Sequence, residues 1–430
     1  MKGPKMKKCY SLIDKVYDMG NLRAAYKAVR ANNGAPGIDG ETVKAFGEDL
    51  EARLLAIHQR LKARTYEPSP VRRVEIPKPD GSKRPLGIPT VGDGVVQQAL
   101  LNVLQPIFDP DFHPSSYGYR PGRSCHQAVA KADYFINRYE FKHVVDMDLS
   151  KCFDRLDHDL ILASVNRKVS DGKVLELIRK FLKAGVMKDG VWEQTEIGSP
   201  QGGVVSPLLT NIYLDYFDQK MRSKGIRIVR YADDILIVAF TRRQAEKYLK
   251  IACEILEGEL KLVVNREKTH ITSDVEGVPF LGFKIRSTGA NIHPKKLAKF
   301  KEKIRELTPR NHGMNVREMA MRLNPFLRGW INYFRVANCK SVVAKLMAWI
   351  RRRLRMRQMR EWKSWRALHR RLRQLGYRGE FTKMDMRRWR GSASPLISLA
   401  LPNAWFKELG LVDLAEYEVG ILRQFYPKNG

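Results

Sequence analysis

The chain has 430 residues, of which 78 are Lys or Arg and 46 are Asp or Glu, so its formal net charge is +32. With 43% hydrophobic residues, it has the composition of a folded protein and not of a disordered one. Its longest clean apolar stretch is strand-sized, which argues against a membrane-spanning helix. Five widely spaced cysteines without a CxxC motif argue against a disulfide scaffold or a cysteine-rich zinc site. The positive charge predicts a polyanionic partner, by default nucleic acid.

The first ninety residues are predicted to contain two helices and a hairpin. Apolar spacing predicts helices over 11–31 and 41–63, separated by the glycine-rich loop Gly34–Gly40. Residues 71–90 alternate polar and apolar side chains around the turn residues 78–82. This alternation predicts a β-hairpin with basic residues on both arms.

The middle of the chain mixes strands with helices, and its last third is helical. Strands are predicted over 141–149, within 226–240 as a pair, and near 262–285. Helices are predicted over 91–109, 157–168, 171–184, 204–222 and 242–258, and almost throughout the chain from about 295.

Acidic residues occur at two points in these apolar strands. Asp233 and Asp234 lie between two apolar segments, where like charges raise each other's pKa. Alone, such a pair is more often a simple polar turn. Asp146 and Asp148, however, lie two apart on a predicted strand and so share a face. A strand end with a carboxylate beside an acidic hairpin offers oxygen ligands for two metal ions, as in both polymerases and nucleases.

Several segments occur in the order of reverse-transcriptase motifs. They are Val-Asp-Met-Asp-Leu-Ser-Lys-Cys-Phe-Asp (145–154), Gly-Ser-Pro-Gln-Gly-Gly-Val-Val-Ser-Pro-Leu-Leu (198–209), Arg-Tyr-Ala-Asp-Asp (230–234) and Phe-Leu-Gly-Phe (280–283). With Arg72–Gly81, Ser116–Arg123 and Phe326–Phe334, they make nearly the whole chain resemble the reverse transcriptase–maturase of bacterial group II introns.

The resemblance implies an α+β, right-hand polymerase fold. Fingers and palm, built from an antiparallel sheet plus helices, would precede an α-helical thumb/maturase domain and a small basic C-terminal extension. The expected segments are 1–70 (N-terminal extension with the Gly-rich loop), 71–290 (fingers and palm), 291–378 (thumb/maturase) and 379–430 (DNA-binding-type extension). No HNH endonuclease is expected, because His369 is the only histidine after Cys339 and no further cysteine follows.

The resemblance also assigns the catalytic acids. Asp148, Asp233 and Asp234 would bind two Mg²⁺ ions, with Asp146 as the alternative to Asp148. Phe153, five residues after Asp148, would exclude a nucleotide 2′-OH; its alternative role is ordinary core packing.

The expected nucleotide-binding residues lie in motifs before, between and after these acids along the chain. Lys78 and Arg84 would bind the triphosphate, since both cations suit phosphate oxygens. Gln201 would lie beside the nucleotide, and Lys268 near the pyrophosphate as a candidate proton donor. Arg72 and Arg73 are expected to follow the template backbone.

Positive charge is concentrated towards the C-terminus. Between Lys340 and Arg390 there are 18 Lys or Arg and three acids, and six of the seven tryptophans lie in the last third of the chain. This mixture favours a nucleic-acid surface, although tryptophans in a helical core with solvated arginines are the alternative. The expected nucleic-acid contacts are Arg328, Arg335, Arg351, Arg352 and Arg353.

The expected function is that of an RNA-directed DNA polymerase of a group II intron. It would bind the intron RNA to assist splicing and copy it during retrohoming, in the bacterial cytoplasm and away from membranes. The expected partners are intron RNA, RNA template, DNA primer, dNTPs and target DNA. The alternatives are a reverse transcriptase recruited to CRISPR spacer capture or to a diversity-generating element, and a non-catalytic splicing factor. The retained acids, with Lys78, Arg84 and Gln201, argue against the last.

Overall fold

The structure, a computed structural model, describes residues 8–77, 81, 83–188, 191–193, 197–198, 202–309 and 313–427. The chain divides into two compact units, one of Met1–Ala128 with Glu140–Ser273, the other of Val129–Tyr139 with Asp274–Gly430. The predicted division into four segments is finer than this and stays a prediction. None of the helices in the described ranges is both long and apolar enough to cross a membrane.

The first unit combines helices with two four-stranded sheets. Its helices are α1 (Ile13–Tyr17), α2 (Met19–Asn32), α3 (Val43–Glu48), α4 (Leu50–Lys62), α5 (Val91–Phe108), the beginning of α6 (Cys125–Arg138), α7 (His158–Asn166), α8 (Gly172–Lys183), α9 (Ser206–Ser223) and α10 (Arg242–Cys253). Its strands are β1 (Val71–Pro77), β2 (Lys83–Ile88), β3 (His143–Met147), β4 (Val186–Lys188), β5 (Val191–Glu193), β6 (Ile228–Tyr231), β7 (Asp234–Ala239) and β8 (His270–Ser273).

The predicted basic hairpin is confirmed as β1 and β2. These strands pair antiparallel, with Pro77 opposite Lys83, in a sheet of order β2-β1-β4-β5. Most of the predicted turn, including Lys78, lies outside the described residues. Strands β4 and β5, which the sequence pattern did not predict, extend the sheet through a parallel pairing of β1 with β4.

The second sheet of this unit, with order β6-β7-β3-β8, carries the predicted acidic strands. Its two central strands, β3 and β7, pair antiparallel, and all but one or two of their side chains are buried. Helix α9 contributes Tyr213 and Phe217, both fully buried, to the hydrophobic core of this unit. Burial on both faces explains why these strands read as nearly continuous apolar runs.

The two predicted N-terminal helices are each broken by an aspartate. Asp18 ends α1 and caps α2, because its carboxylate accepts a hydrogen bond from the Asn21 backbone N–H at 3.0 Å. Asp49 separates α3 from α4 through its backbone alone, because its φ of −126° is non-helical and its side chain makes no capping hydrogen bond. Apolar spacing continues across both breaks, so periodicity alone merged the helices. An aspartate is favoured at helix starts, where it satisfies backbone donors.

The second unit is mainly helical, as predicted, with one small antiparallel sheet. The sheet has the order β11-β10-β9, formed by β9 (Val278–Phe280), β10 (Phe283–Arg286) and β11 (Gly289–Ile292). The helices are α11 (Pro294–Leu307), α12 (Val316–Phe334), α13 (Lys340–Trp362), α14 (Trp365–Gln374), α15 (Pro395–Ala400) and α16 (Asn403–Glu408).

Helix α12 carries an aromatic cluster of Phe326, Trp330 and Phe334, which recur every four residues and so share one face of the helix. The Trp330 ring lies 4.4 Å from Phe300 of α11 and 5.1 Å from Phe334, measured between ring centroids. Phe326 stacks on Phe300 at 5.3 Å. Trp330 and Phe334 are buried, so these aromatics form part of the core of the second unit.

Candidate active site

The register of the second sheet brings the predicted acids to one edge. Met147, the last residue of β3, pairs with Ile235, so Asp148 follows β3 where Asp234 begins β7. Asp233 occupies the tip between β6 and β7, because Tyr231 pairs with Asp234 and leaves a two-residue loop. Asp148 therefore lies at the same end of a buried sheet as Asp233 and Asp234, which are distant from it in sequence.

The hairpin tip has a strained backbone that a glycine supports. Ala232 has a φ of 56°, in the left-handed region that residues with a Cβ seldom adopt. The backbone of Gly118 lies against it so closely that a Cβ on Gly118 would be 2.3 Å from the Ala232 nitrogen. Such strain persists only where the surroundings impose it, and it clusters at functional sites.

A buried arginine, Arg230, holds the loop from the side of α9. Its guanidinium is fully buried and donates to both carboxylate oxygens of Asp218, with Nε 2.9 Å from each. Nη1 donates to Asn211 Oδ1 at 2.9 Å and to the Ala232 carbonyl oxygen at 3.0 Å. The side chain thus connects α9 directly to the backbone next to Asp233.

Backbone hydrogen bonds fix the same strand from the other side. The Arg230 backbone N–H donates to the Ser115 carbonyl, and the Arg230 carbonyl accepts from the Tyr117 N–H, both at 2.9 Å. Asn211 Nδ2 also donates to the Gly118 carbonyl at 2.9 Å. Sequence reasoning did not assign roles to Arg230, Asp218 or Asn211. The available signal was an arginine within an apolar strand, which needs a buried counter-ion.

Asp148 is held by two residues of the segment that precedes β8. Its carboxylate accepts a hydrogen bond from Asn265 Nδ2 at 3.1 Å, and Lys268 Nζ lies 3.5 Å from the same oxygen. Lys268, expected near the pyrophosphate, therefore lies directly against a predicted metal ligand. Asp146 instead has His270 of β8 as its neighbour, with 3.8 Å between Nε2 and Oδ2.

The electrostatics of the acids reflect their proximity. Burial and the charge of Asp148 raise the pKa of Asp233 above its ordinary value. Desolvation by the surrounding chain, together with the charges of Asp233, Asp146 and Asp148, raises the pKa of Asp234 to about 7. Asp234 as a residue is nevertheless exposed. Burial, the largest cause, and repulsion among the carboxylates both disfavour their charged forms, which a nearby cation would stabilise.

The donor set fits a divalent cation in its chemistry. Carboxylate oxygens are the hard ligands that Mg²⁺ prefers, and they are concentrated here. Among the described residues, no three acidic, His or Cys side chains are grouped closely enough to enclose an ion. The Asp148 carboxylate interacts instead with Asn265 and Lys268. The ligand roles of Asp148, Asp233 and Asp234 stay predictions.

A cavity of about 840 Å³ in the first unit contains several predicted nucleotide-binding residues. Arg84 and Phe153 line it, and Phe153 is 6% exposed. Gly202 also lines it, with a φ of 113° and so close to β2 that a Cβ would lie 2.2 Å from the Gly87 carbonyl oxygen. Gln201 and Lys78 lie outside the described residues.

The two arginines of β1 have partners within the first unit. Arg72 donates to the Pro36 carbonyl at 2.7 and 3.0 Å, and so ties the glycine-rich loop to the hairpin. Arg73 pairs with Glu193 at 3.5 Å. Their contacts with a template stay predictions.

The predicted arginines of the second unit differ in their surroundings. Arg328 is exposed and Arg335 is half-buried. Arg351 pairs with Asp413 at 2.5 Å, Arg352 lies 4.7 Å over the Trp389 ring, and Arg353 donates to the Thr308 hydroxyl at 2.6 Å. The last three bind the unit together, which a charge count cannot reveal. Nucleic-acid contact by any of the five stays a prediction.

Comparison with known proteins identifies the family. Residues 76–285 match the family described as reverse transcriptase (RNA-dependent DNA polymerase), and residues 297–376 match the group II intron, maturase-specific domain. Protein YkfC of Escherichia coli is 36% identical in an alignment 303 residues long, which covers 61% of this chain and 80% of that protein. The chain belongs to the group II intron reverse transcriptase–maturase family. The predicted fold class and enzyme class, an RNA-directed DNA polymerase of α+β right-hand fold, are thereby confirmed.

Other relatives agree with this assignment. The group II intron-encoded protein LtrA of Lactococcus lactis is 32% identical over 331 residues, 61% of this chain and 54% of its own length. This chain thus spans about half of LtrA. Among solved structures, apo telomerase from Candida tropicalis aligns with 59% of this chain at 16% identity and a TM-score of 0.41, which is too distant to add to the argument.

Proposed function

We propose that the protein copies RNA into DNA by extending a DNA primer with dNTPs, in a reaction that two Mg²⁺ ions assist. We further propose that it binds a group II intron RNA, assists its splicing and copies it into target DNA during retrohoming. The observation that carries the polymerase proposal is the meeting of Asp148 with Asp233 and Asp234 at the edge of the second sheet.

Each residue of the site has a proposed part in the reaction. Asp148, Asp233 and Asp234 would hold the ions, which supply activation of the primer 3′-OH and neutralisation of the triphosphate. Arg84 would bind phosphate oxygens through its guanidinium fork, together with Lys78. Phe153 would lie against the sugar and exclude a 2′-OH.

Three further residues would position the substrate. Gln201 and the close-packed backbone of Gly202 would border the incoming nucleotide. Lys268, which lies beside Asp148, is near enough to the acids to place a proton donor next to the leaving pyrophosphate.

The test of the polymerase proposal is primer extension on an RNA template with Mg²⁺. The double variant Asp233→Asn/Asp234→Asn and the single variant Asp148→Asn are expected to lose at least about a hundredfold in rate, because removing charged ligands weakens ion binding. The matched control is Asp159→Asn, an exposed aspartate at the start of α7, which is expected to extend normally. Undiminished extension by the double variant would reject the assignment of the site.

Splicing assistance requires a separate measurement. The maturase-specific match over residues 297–376 supports it. The Asp233→Asn/Asp234→Asn protein is expected to bind intron RNA and promote its splicing as the wild type does, because the two acids have no proposed role in RNA binding or splicing. A wild-type protein that extends primers but does not bind intron RNA would favour recruitment of the enzyme to another role.

A further inference from the structure

Tyr119 combines an exposed aromatic ring with a strained backbone. Its side chain belongs to a residue that is 52% exposed, and its φ is 56°. A bulky residue in this left-handed region is an outlier that the surrounding structure must impose. The combination marks a side chain held out for a purpose that core packing does not explain.

Both neighbours of Tyr119 are held in place, Gly118 by the active-site hairpin and Arg120 by other segments of the first unit. Gly118 before it packs on the backbone of Ala232, one residue from Asp233. Arg120 after it is buried and donates to a carboxylate oxygen of Asp109 at 2.7 Å and to the Ser116 carbonyl at 2.9 Å. The Tyr119 ring therefore has a defined position relative to the predicted catalytic acids.

Tyr119 lines the same cavity as Arg84 and Phe153. Helix α5 contributes Gln98, Leu101 and Gln105 to this cavity. Their spacing of three and four residues places them on one face of the helix. From Gln98 to Gln105 that face extends about 10 Å at a rise of about 1.5 Å per residue. This length is the rise of about three stacked nucleotides at about 3.4 Å each.

The chemistry of the cavity divides between phosphate and base. Among the described residues that line it, Arg84 is the only charged one. Amides, an aliphatic side chain and an aromatic ring suit sugars and bases, whereas phosphates need cations. At about 840 Å³ the cavity lies in the upper part of the usual range for ligand sites, about 300–1,000 Å³, and so has room for more than one nucleotide.

We propose that Tyr119 stacks on the template base that pairs with the incoming nucleotide, while Gln98 and Gln105 contact the sugars of the template strand. This inference rests on the proposed polymerase function. An aromatic ring can stack on any base, so the contact positions the template without selecting its sequence.

The test uses the full chain bound to a primer–template whose primer ends in a dideoxynucleotide. The template carries 2-aminopurine, whose fluorescence stacking quenches, at the templating position. Tyr119→Phe keeps the ring, and Tyr119→Gly removes it while favouring the same backbone conformation. The emission of 2-aminopurine is expected to stay quenched with the Phe variant and to rise several-fold with the Gly variant.

Kinetics provide a second readout in the same variants. Loss of one base–aromatic stack is expected to lower kcat/KM for insertion of the correct dNTP about 5- to 100-fold in Tyr119→Gly, and to leave Tyr119→Phe near wild type. Tyr119→Asn, which also tolerates a left-handed φ, repeats the test should the Gly variant melt at a lower temperature. The matched control is Tyr10→Ala, which removes a 72% exposed tyrosine that does not line the cavity.

Two outcomes would overturn the inference. One is that 2-aminopurine quenching and kcat/KM are both unchanged in the ring-free variants Tyr119→Gly and Tyr119→Asn. The other uses a second substrate, with 2-aminopurine at the primer terminus: a change in fluorescence with that substrate alone would place the ring against the primer and not the template. Failure of the wild type itself to extend primers would reject the proposed function instead, so the two failures are distinguishable.

Discussion

At the scale of single residues, burial and neighbouring negative charge raise the pKa of Asp233 and of Asp234. The effect is larger for Asp234, because desolvation and three neighbouring carboxylates raise its pKa to about 7. A raised carboxyl pKa means that folding favours the protonated form. As pH rises from about 4 to about 7, the unfolded chain loses this proton while the folded protein keeps it, so folding stability falls over that range.

The replacement Asp234→Asn tests whether ionisation of this carboxyl lowers folding stability. Removing the charge is expected to raise the melting temperature of the protein at pH 8 in the presence of a chelator, and to change it little at pH 4.5, where the carboxyl is already protonated. Thermal unfolding followed by circular dichroism at both pH values gives the answer. An equal shift at both would show that lost contacts, and not ionisation, explain the effect. Asp14→Asn, which removes an exposed carboxylate in the first turn of α1, is the control.

At the scale of elements, the hairpin β6–β7 depends on α9 through the Arg230–Asp218 pair. Both side chains have no solvent exposure, and Arg230 also donates to the Ala232 carbonyl. Breaking a buried ion pair leaves an uncompensated charge, whereas replacing both partners by apolar residues is often tolerated. The pair therefore has separable contributions to stability and to the position of Asp233.

Two variants separate these contributions. Asp218→Asn is expected to lower the free energy of unfolding by about 3–5 kcal/mol, and the double variant Arg230→Met/Asp218→Leu to recover most of that loss. The double variant should nevertheless extend primers more slowly, with kcat reduced more than KM, because the Ala232 carbonyl has lost its donor.

Urea unfolding and primer extension on the same preparations provide the comparison. Glu246→Gln breaks the exposed pair of Glu246 with Arg242 and is expected to change stability by less than about 0.5 kcal/mol. A double variant with full polymerase activity would show that Arg230 only stabilises the fold.

At the scale of the whole molecule, the net charge of +32 serves two physical purposes. Some arginines are bound within the protein, as Arg353 is by the hydroxyl and carbonyl of Thr308 and by the Trp349 ring. Others, such as Arg328, are exposed on their helix. Only charges that neutralise phosphates release counterions and make binding depend on salt.

This distinction predicts opposite results for two arginine substitutions. Arg328→Gln is expected to weaken RNA binding and to reduce the slope of log K against log salt by about 0.7–0.9, the value for one phosphate contact. Arg353→Gln is expected to leave that slope unchanged and to lower the free energy of unfolding by about 1–3 kcal/mol, because it removes partly buried hydrogen bonds to Thr308. Filter binding to an RNA oligonucleotide at several salt concentrations, with melting curves, distinguishes the two; reversed results would assign Arg353 to the RNA surface.

The sequence by itself determined the family, the acidic hairpin and most of the elements. These properties are written in local patterns: Tyr231-Ala-Asp-Asp234 between apolar strands, alternation in residues 71–90, and helical spacing from about 295. Only the tertiary structure decided which partners the buried charges have. Asp218 for Arg230, Asp413 for Arg351 and Thr308 for Arg353 are distant along the chain. Local spacing likewise does not reveal the exposed ring and left-handed backbone of Tyr119, because they belong to a loop whose Gly118 packs on Ala232, far along the chain.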